Sequence, residues 1–158
     1  MRRGLVLLAV LLTAVILPLS AQDNPFLGTW KLNTEKSKYV GAPAPKSQTR
    51  TVSTQGNGVK YSFEGTSADG TPYAFSFVTY YDKTNAAITG TGTPAGADAV
   101  NLKKVSSHKV EGTLWKGGKQ VGSVTAEVSK DGKVATVKGK GKTADGREYS
   151  SEAVYDKQ

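Results

Sequence analysis

The chain has 158 residues, 37% hydrophobic, with 21 Lys and Arg against 13 Asp and Glu, a formal net charge of +8. It carries no cysteine and one histidine, which excludes disulfides, thiol nucleophiles and a lipid-attachment cysteine, and leaves no His/Asp/Glu cluster at metal-ligand spacing. The basic balance favours anionic surfaces through long-range attraction without naming a partner.

The first segment, MRRGLVLLAVLLTAVILPLSA (1–21), has the layout of a secretory signal peptide. Arg2 and Arg3 form a positive n-region, Leu5 to Leu17 an apolar h-region, and Ser20 and Ala21 are small. A retained anchor is the alternative, but the apolar run is shorter than the roughly 20 residues a spanning helix needs. Cleavage after Ala21 leaves residues 22–158 as one domain of 137 residues with a net charge of +6, exported to the periplasm or outside the cell. A domain of that size buries roughly 68% of its unfolded surface, enough for stability without disulfides.

Beyond residue 21, helical periodicity gives way to alternating β-branched and aromatic residues punctuated by turn signals, an all-β pattern. Connections are read at 33–46, 55–58, 67–71, 82–85, 93–98, 106–108, 116–119, 130–133 and 143–147, which implies ten strands. All but the first are hairpin-length, so consecutive strands are expected to be neighbours. Asn-Gly and Asp-Gly recur because tight hairpins need positive φ.

Two hairpins can be read in register. Centring VKYSFEGTSADGTPYAFSFVT on Asp69 sets Gly65 opposite Tyr73, Phe63 opposite Phe75 and Tyr61 opposite Phe77, all on one face. Ser62, Glu64 and Ser76 occupy the other. Centring the second on Asp145 pairs Gly141 with Tyr149, Gly139 with Ser151, Val137 with Ala153 and Ala135 with Tyr155. Its opposite face sets Lys142 against Glu148 and Lys138 against Glu152, a solvated pattern. At an offset of 76, residues 52–78 match 128–154 at nine positions, including Gly65/Gly141 and Tyr73/Tyr149. Internal duplication and reuse of the same turn chemistry both account for this.

Ten strands rich in Val, Thr and Tyr would invite edge pairing unless the sheet closes. The outward faces carry Lys, Glu and Ser instead of the apolar band of an outer-membrane barrel. The expected fold is therefore an up-and-down antiparallel meander closing into a small soluble barrel, with no membrane span in the mature chain.

Gly28-Thr29-Trp30 on the first strand is expected to anchor that barrel. Gly28 admits a close neighbour, and Trp30 plugs one end. The run FLGTWKL (26–32) resembles the start of the calycins, the lipocalins and fatty-acid-binding proteins, which carry Gly-x-Trp on their first strand. The ten-strand count, LWKGGK (114–119), SKDGKV (129–134) and VYDK (154–157) resemble the fatty-acid-binding group. The resemblance implies a barrel that holds an apolar ligand. That group places two short helices after its first strand, whereas here the prolines of GAPAP (41–45) leave room for at most one short turn near Thr34 to Tyr39. The group also tethers a carboxylate through an Arg two residues before a Tyr on its last strand. Tyr155 matches the Tyr, but Ala153 stands at the Arg position, so a strict need for a carboxylate is not expected. The lipocalin Thr-Asp-Tyr motif is missing, and neither Arg50 nor Arg147 can be placed as the lipocalin arginine that covers the tryptophan. An avidin-like barrel also opens on Gly-Thr-Trp, but its biotin-contacting pattern is not recognisable.

No catalytic constellation emerges. His108 falls in a turn, the Asp-Gly acids sit where hairpins want Asp, and no calcium loop is formed. The run ITGTGTPAGADAV (88–100) lacks the Lys-Ser/Thr of a phosphate loop. The stripe Lys138, Lys140, Lys142 lacks the stacking aromatics of a nucleic-acid surface. The expectation is a non-enzymatic exported barrel with no cofactor or metal, binding a small hydrophobic or amphiphilic molecule. Tyr61, Phe63, Tyr73, Phe75, Phe77, Tyr149 and Tyr155 are its expected lining, with interior glycines at 139 and 141 leaving space. The alternative is a structural or interaction module with a filled core and a basic outer surface.

Overall fold

The computed structural model describes residues 24–143 and 145–158. The expected signal peptide (1–21) lies outside the described residues. The described chain is all-β, with strands β1 (Gly28–Val40), β2 (Ser47–Gln55), β3 (Gly58–Thr66), β4 (Pro72–Thr79), β5 (Ala86–Ala87), β6 (Thr89–Gly90), β7 (Ala99–Ser106), β8 (Lys109–Lys116), β9 (Lys119–Val128), β10 (Val134–Lys142) and β11 (Glu148–Lys157). A single 3-10 turn covers Pro94–Gly96. The sheet order is β5-β7-β8-β9-β10-β11-β1-β2-β3-β4-β6, every pairing antiparallel. The first strand thus joins the last, and the meander curls into a nearly closed barrel.

Eleven strands appear where ten are expected because the fifth is divided at Ile88. Ala86 and Ala87 pair with β7, whereas Thr89 and Gly90 pair with β4. The five-residue segment 86–90 therefore crosses between the sheet's two free edges and closes the barrel. Gly90 makes the crossing feasible: its φ is +113°, and a Cβ there would lie 2.1 Å from the Ala74 carbonyl oxygen.

The stretch expected as a long connection (33–46) is largely strand. β1 runs to Val40 without a helical turn at 34–39, and its register against β11 shifts between Asn33 and Lys38. Side chains satisfy the backbone across this irregularity. The Lys36 N–H donates to Asn33 Oδ1 (3.1 Å), the Ser37 hydroxyl donates to the Asn33 carbonyl (2.6 Å), and Ser37 Oγ accepts from the Val154 N–H (2.9 Å). A bulged strand keeps β11 covered, which an isolated turn would not.

Both hairpins hold the expected registers, from Gly65↔Tyr73 to Tyr61↔Phe77 and from Gly141↔Tyr149 to Ala135↔Tyr155. Lys138 Nζ lies 3.3 Å from Glu152 Oε2 across the outer face. The acids at 69, 131 and 145 hold their turns. Asp69 Oδ1 accepts from the Ser67 hydroxyl (2.5 Å) and the Thr71 N–H (2.9 Å), and Asp131 is bonded in the same way by Ser129 and Lys133; Asp145 accepts from the Thr143 hydroxyl and from the Arg147 side-chain Nε–H (2.7 Å).

One end of the barrel is plugged. Trp30 and Phe26 are both 0% exposed and pack with Val52, Val128 and Ala135. The Trp30 indole N–H donates to the Phe26 carbonyl (2.9 Å), satisfying the ring's one polar group. Lys157, paired with Trp30 across β1 and β11, holds its ammonium 5.0 Å from the centre of the indole ring. A cation does cover the tryptophan, but it is a lysine from the last strand and not an arginine. Gly28 is needed for its conformation, φ +123°. The atom nearest to a Cβ there is Lys157 Cε at 2.9 Å, the movable end of a side chain, so close backbone approach is not the reason for the glycine.

Candidate functional site: a cavity inside the barrel

Above the plug the barrel encloses a cavity of about 750 Å³. Its mouth is rimmed by the β1–β2 connection at Ala42, Pro43 and Pro45, the β3–β4 turn at Ser67–Asp69, and Thr91–Ala95. Its walls are apolar: Val100, Leu102, Val110, Leu114, Val124, Ala126 and Val137 come from the inward positions of β7 to β10.

The seven expected lining residues all border this cavity. Tyr61, Phe63, Tyr73, Phe75 and Phe77 form one stacked wall across β3 and β4, with ring centres 4.5 Å apart for Phe63 and Phe75 and 5.1 Å for Tyr61 and Phe77. Tyr149 and Tyr155 stand on β11, across β1 and β2 from that wall. Of the two expected interior glycines, Gly139 lines the cavity. Gly141 is packed instead: a Cβ there would meet the Val121 carbonyl oxygen at 2.3 Å. Gly28 and Trp30 belong to the plug.

The polar groups form two connected sets. The buried Tyr155 hydroxyl donates to Gln48 Oε1, and Gln48 Nε2 donates to the Tyr73 hydroxyl oxygen (2.7 Å), linking β11, β2 and β4. Nearer the plug, the hydroxyls of Tyr61 and Tyr81 are 2.6 Å apart. Burial raises the pKa of five tyrosines in and around the barrel interior. It pushes Tyr39 up to about 12, with Tyr73 adding to the effect, and raises Tyr73, Tyr81, Tyr149 and Tyr155. At neutral pH these five phenols are uncharged.

Arg50 is the functional candidate that sequence reasoning left unplaced. It pairs with Trp30 on one side and Phe63 on the other, is 3% exposed, and borders the cavity just above the plug. Its guanidinium carbon lies 5.0 Å from the Tyr61 ring centre and 5.9 Å from that of Phe63. Its Nε has no hydrogen-bond partner, and among the described residues no carboxylate forms an ion pair with it. The signal was present in QTRTVST: Val52 fixes the inward face of β2, and the period of two puts Arg50 and Gln48 on that face.

Among the described residues no group of three His, Asp or Glu could hold a metal ion. His108 lies in the β7–β8 turn, its Nδ1 2.9 Å from Ser107 Oγ. No helix among the described residues is long and apolar enough to cross a membrane. Set against protein-family models and curated proteins, the chain matches none.

Proposed function

We propose that the protein is an exported, non-enzymatic barrel of calycin-like architecture that holds a small apolar or amphiphilic molecule in its interior. The cavity is the observation that carries this reading. Its volume falls within the roughly 300–1,000 Å³ of small-molecule sites, and a mostly apolar lining with a few convergent polar groups is their usual chemistry. A hollow of about 750 Å³ that opens at a mouth lined with Ser67, Asp69 and Thr91 is accessible to solvent and to small molecules. The space is therefore filled by solvent or by a ligand, which favours a binding role over a packed-core module. A barrel opened by Gly28-x-Trp30, with a cation over the indole ring, supports the calycin-like reading. The layout of residues 1–21 supports export, and the Lys138–Glu152 pair supports an outer wall that faces water.

The test is titration of the mature protein with the uncharged fluorophore N-phenyl-1-naphthylamine, together with native mass spectrometry of freshly purified protein. Saturable binding of one probe per chain, weakened by Gly139→Leu, is the expected result. A probe that never saturates would return the weight to a structural module.

A further inference from the structure

The cavity contains a charge that no described carboxylate balances. Among the described residues, Arg50 is the one basic side chain on its lining, and Asp69 the one carboxylate. Asp69 sits at the mouth and is committed to Ser67 and Thr71 in its turn. Arg50 sits at the other end, beside the plug. A guanidinium does not lose its proton in a protein, so the charge cannot be removed by titration. The phenols around it cannot balance it either, because burial keeps Tyr39, Tyr73, Tyr81 and Tyr155 protonated. The Tyr61 and Phe63 rings offer their faces, which stabilise a cation but leave its N–H donors unused. A buried charge needs a partner or a hydrogen-bonding occupant. Arg50 has neither at Nε among the described residues.

We propose that Arg50 is an anchoring residue for a singly charged carboxylate, so that the ligand is an amphiphilic acid lying head-down, its carboxylate against Arg50 and its apolar body along the Phe63–Phe75 wall toward the mouth. This rests on the cavity-binding reading above and gives its ligand a charge and an orientation. The count of charges selects the class. One guanidinium matches one carboxylate through two parallel N–H···O bonds, whereas a phosphate monoester with close to two charges would find no second cation on the lining. Gln48 is neutral and commits one of its two Nε2 N–H donors to Tyr73. The anchor lies on β2, away from the last-strand position that Ala153 occupies.

The experiment displaces bound N-phenyl-1-naphthylamine with a long-chain carboxylic acid, the matching alcohol and the methyl ester, at moderate salt to suppress attraction by surface lysines. The wild-type protein should prefer the acid over both neutral analogues by about ten- to hundredfold, the usual range for a hydrogen bond to a charged group. Arg50→Gln should reduce that preference to within about twofold, and Lys138→Ser should not alter it. Equal binding of acid and alcohol by the wild type, or a preference that survives Arg50→Gln, would overturn the anchor and leave the cavity-binding reading intact. Failure of the probe itself to bind would overturn that reading instead. Because Arg50→Gln could unfold the chain, a second measurement uses the wild type alone. The carboxyl resonance of a ¹³C-labelled acid bound in the barrel should remain that of the ionised form at acidities where the free acid is protonated. An unshifted titration would overturn the proposal.

Discussion

The hairpins β3–β4 and β10–β11 have the same frame and different contents. Each turns on an Asp-Gly pair held by a Ser or Thr two residues before the Asp, and each sets a glycine opposite a tyrosine, Gly65↔Tyr73 and Gly141↔Tyr149. Below that level they diverge. The first fills its inward face with Tyr61, Phe63, Phe75 and Phe77, and the second offers Val137, Gly139, Ser151 and Ala153. Turn chemistry fixes register, and inward volume, chosen independently, decides whether the barrel is solid or hollow. The first hairpin fills the middle of its inward face with stacked rings, whereas the second carries small residues there, between Tyr149 and Tyr155. β1 lies between the two hairpins in the sheet and carries the plug that both rest on.

The severest way to break this arrangement is to remove what joins the hairpins. Trp30→Ala should cost about 3–5 kcal/mol in urea denaturation, as large core truncations do. A loss below about 1 kcal/mol would mean that each hairpin finds its support elsewhere. The glycines of the hollow hairpin should then separate by what surrounds them. Gly141→Ala drives a Cβ into the Val121 backbone and should cost about 1–3 kcal/mol. Gly139→Ala meets only Ser151 Oγ at 3.0 Å, a hydroxyl free to rotate, and its lower unfolded-state entropy offsets that contact, so a change under about 1 kcal/mol is expected. Equal costs in denaturation midpoints would show that the two positions are packed alike.

On the outer face, Lys138→Ser should change stability by no more than about 0.2–1 kcal/mol and less in high salt, since both partners of its ion pair are largely exposed. Smallest of all is the titration of the turn acids. The Ser67 hydroxyl and the Thr71 N–H hold the Asp69 carboxyl down to about 2, and Thr143 and Arg147 lower that of Asp145. A depressed folded pKa gives stability that is present above the unfolded value near 4 and lost as pH falls toward 2. Midpoints measured from pH 6 to pH 2.5 should therefore fall less steeply in Asp69→Asn than in the wild type. Identical slopes would mean that the turn bonds contribute nothing.

The all-β class, the hairpin registers and the inward face of β3–β4 are legible in the chain because all three follow from local rules: glycine at positive φ, aspartate at turns, and a side-chain period of two. The anchoring role expected of Trp30 comes from its place on the first strand. What the sequence missed depends on long-range neighbours. The division of the fifth strand at Ile88 arises because one short segment must meet two edges that no local pattern brings together. The strand character of residues 34–40 depends on β11, more than a hundred residues away, supplying the Val154 N–H that Ser37 accepts. Lys157 over Trp30 and the difference between Gly139 and Gly141 follow from cross-strand contacts. The isolation of Arg50 is tertiary in the same sense. Alternation could aim it inward, but only the closed barrel determines that no carboxylate of the described residues meets it there.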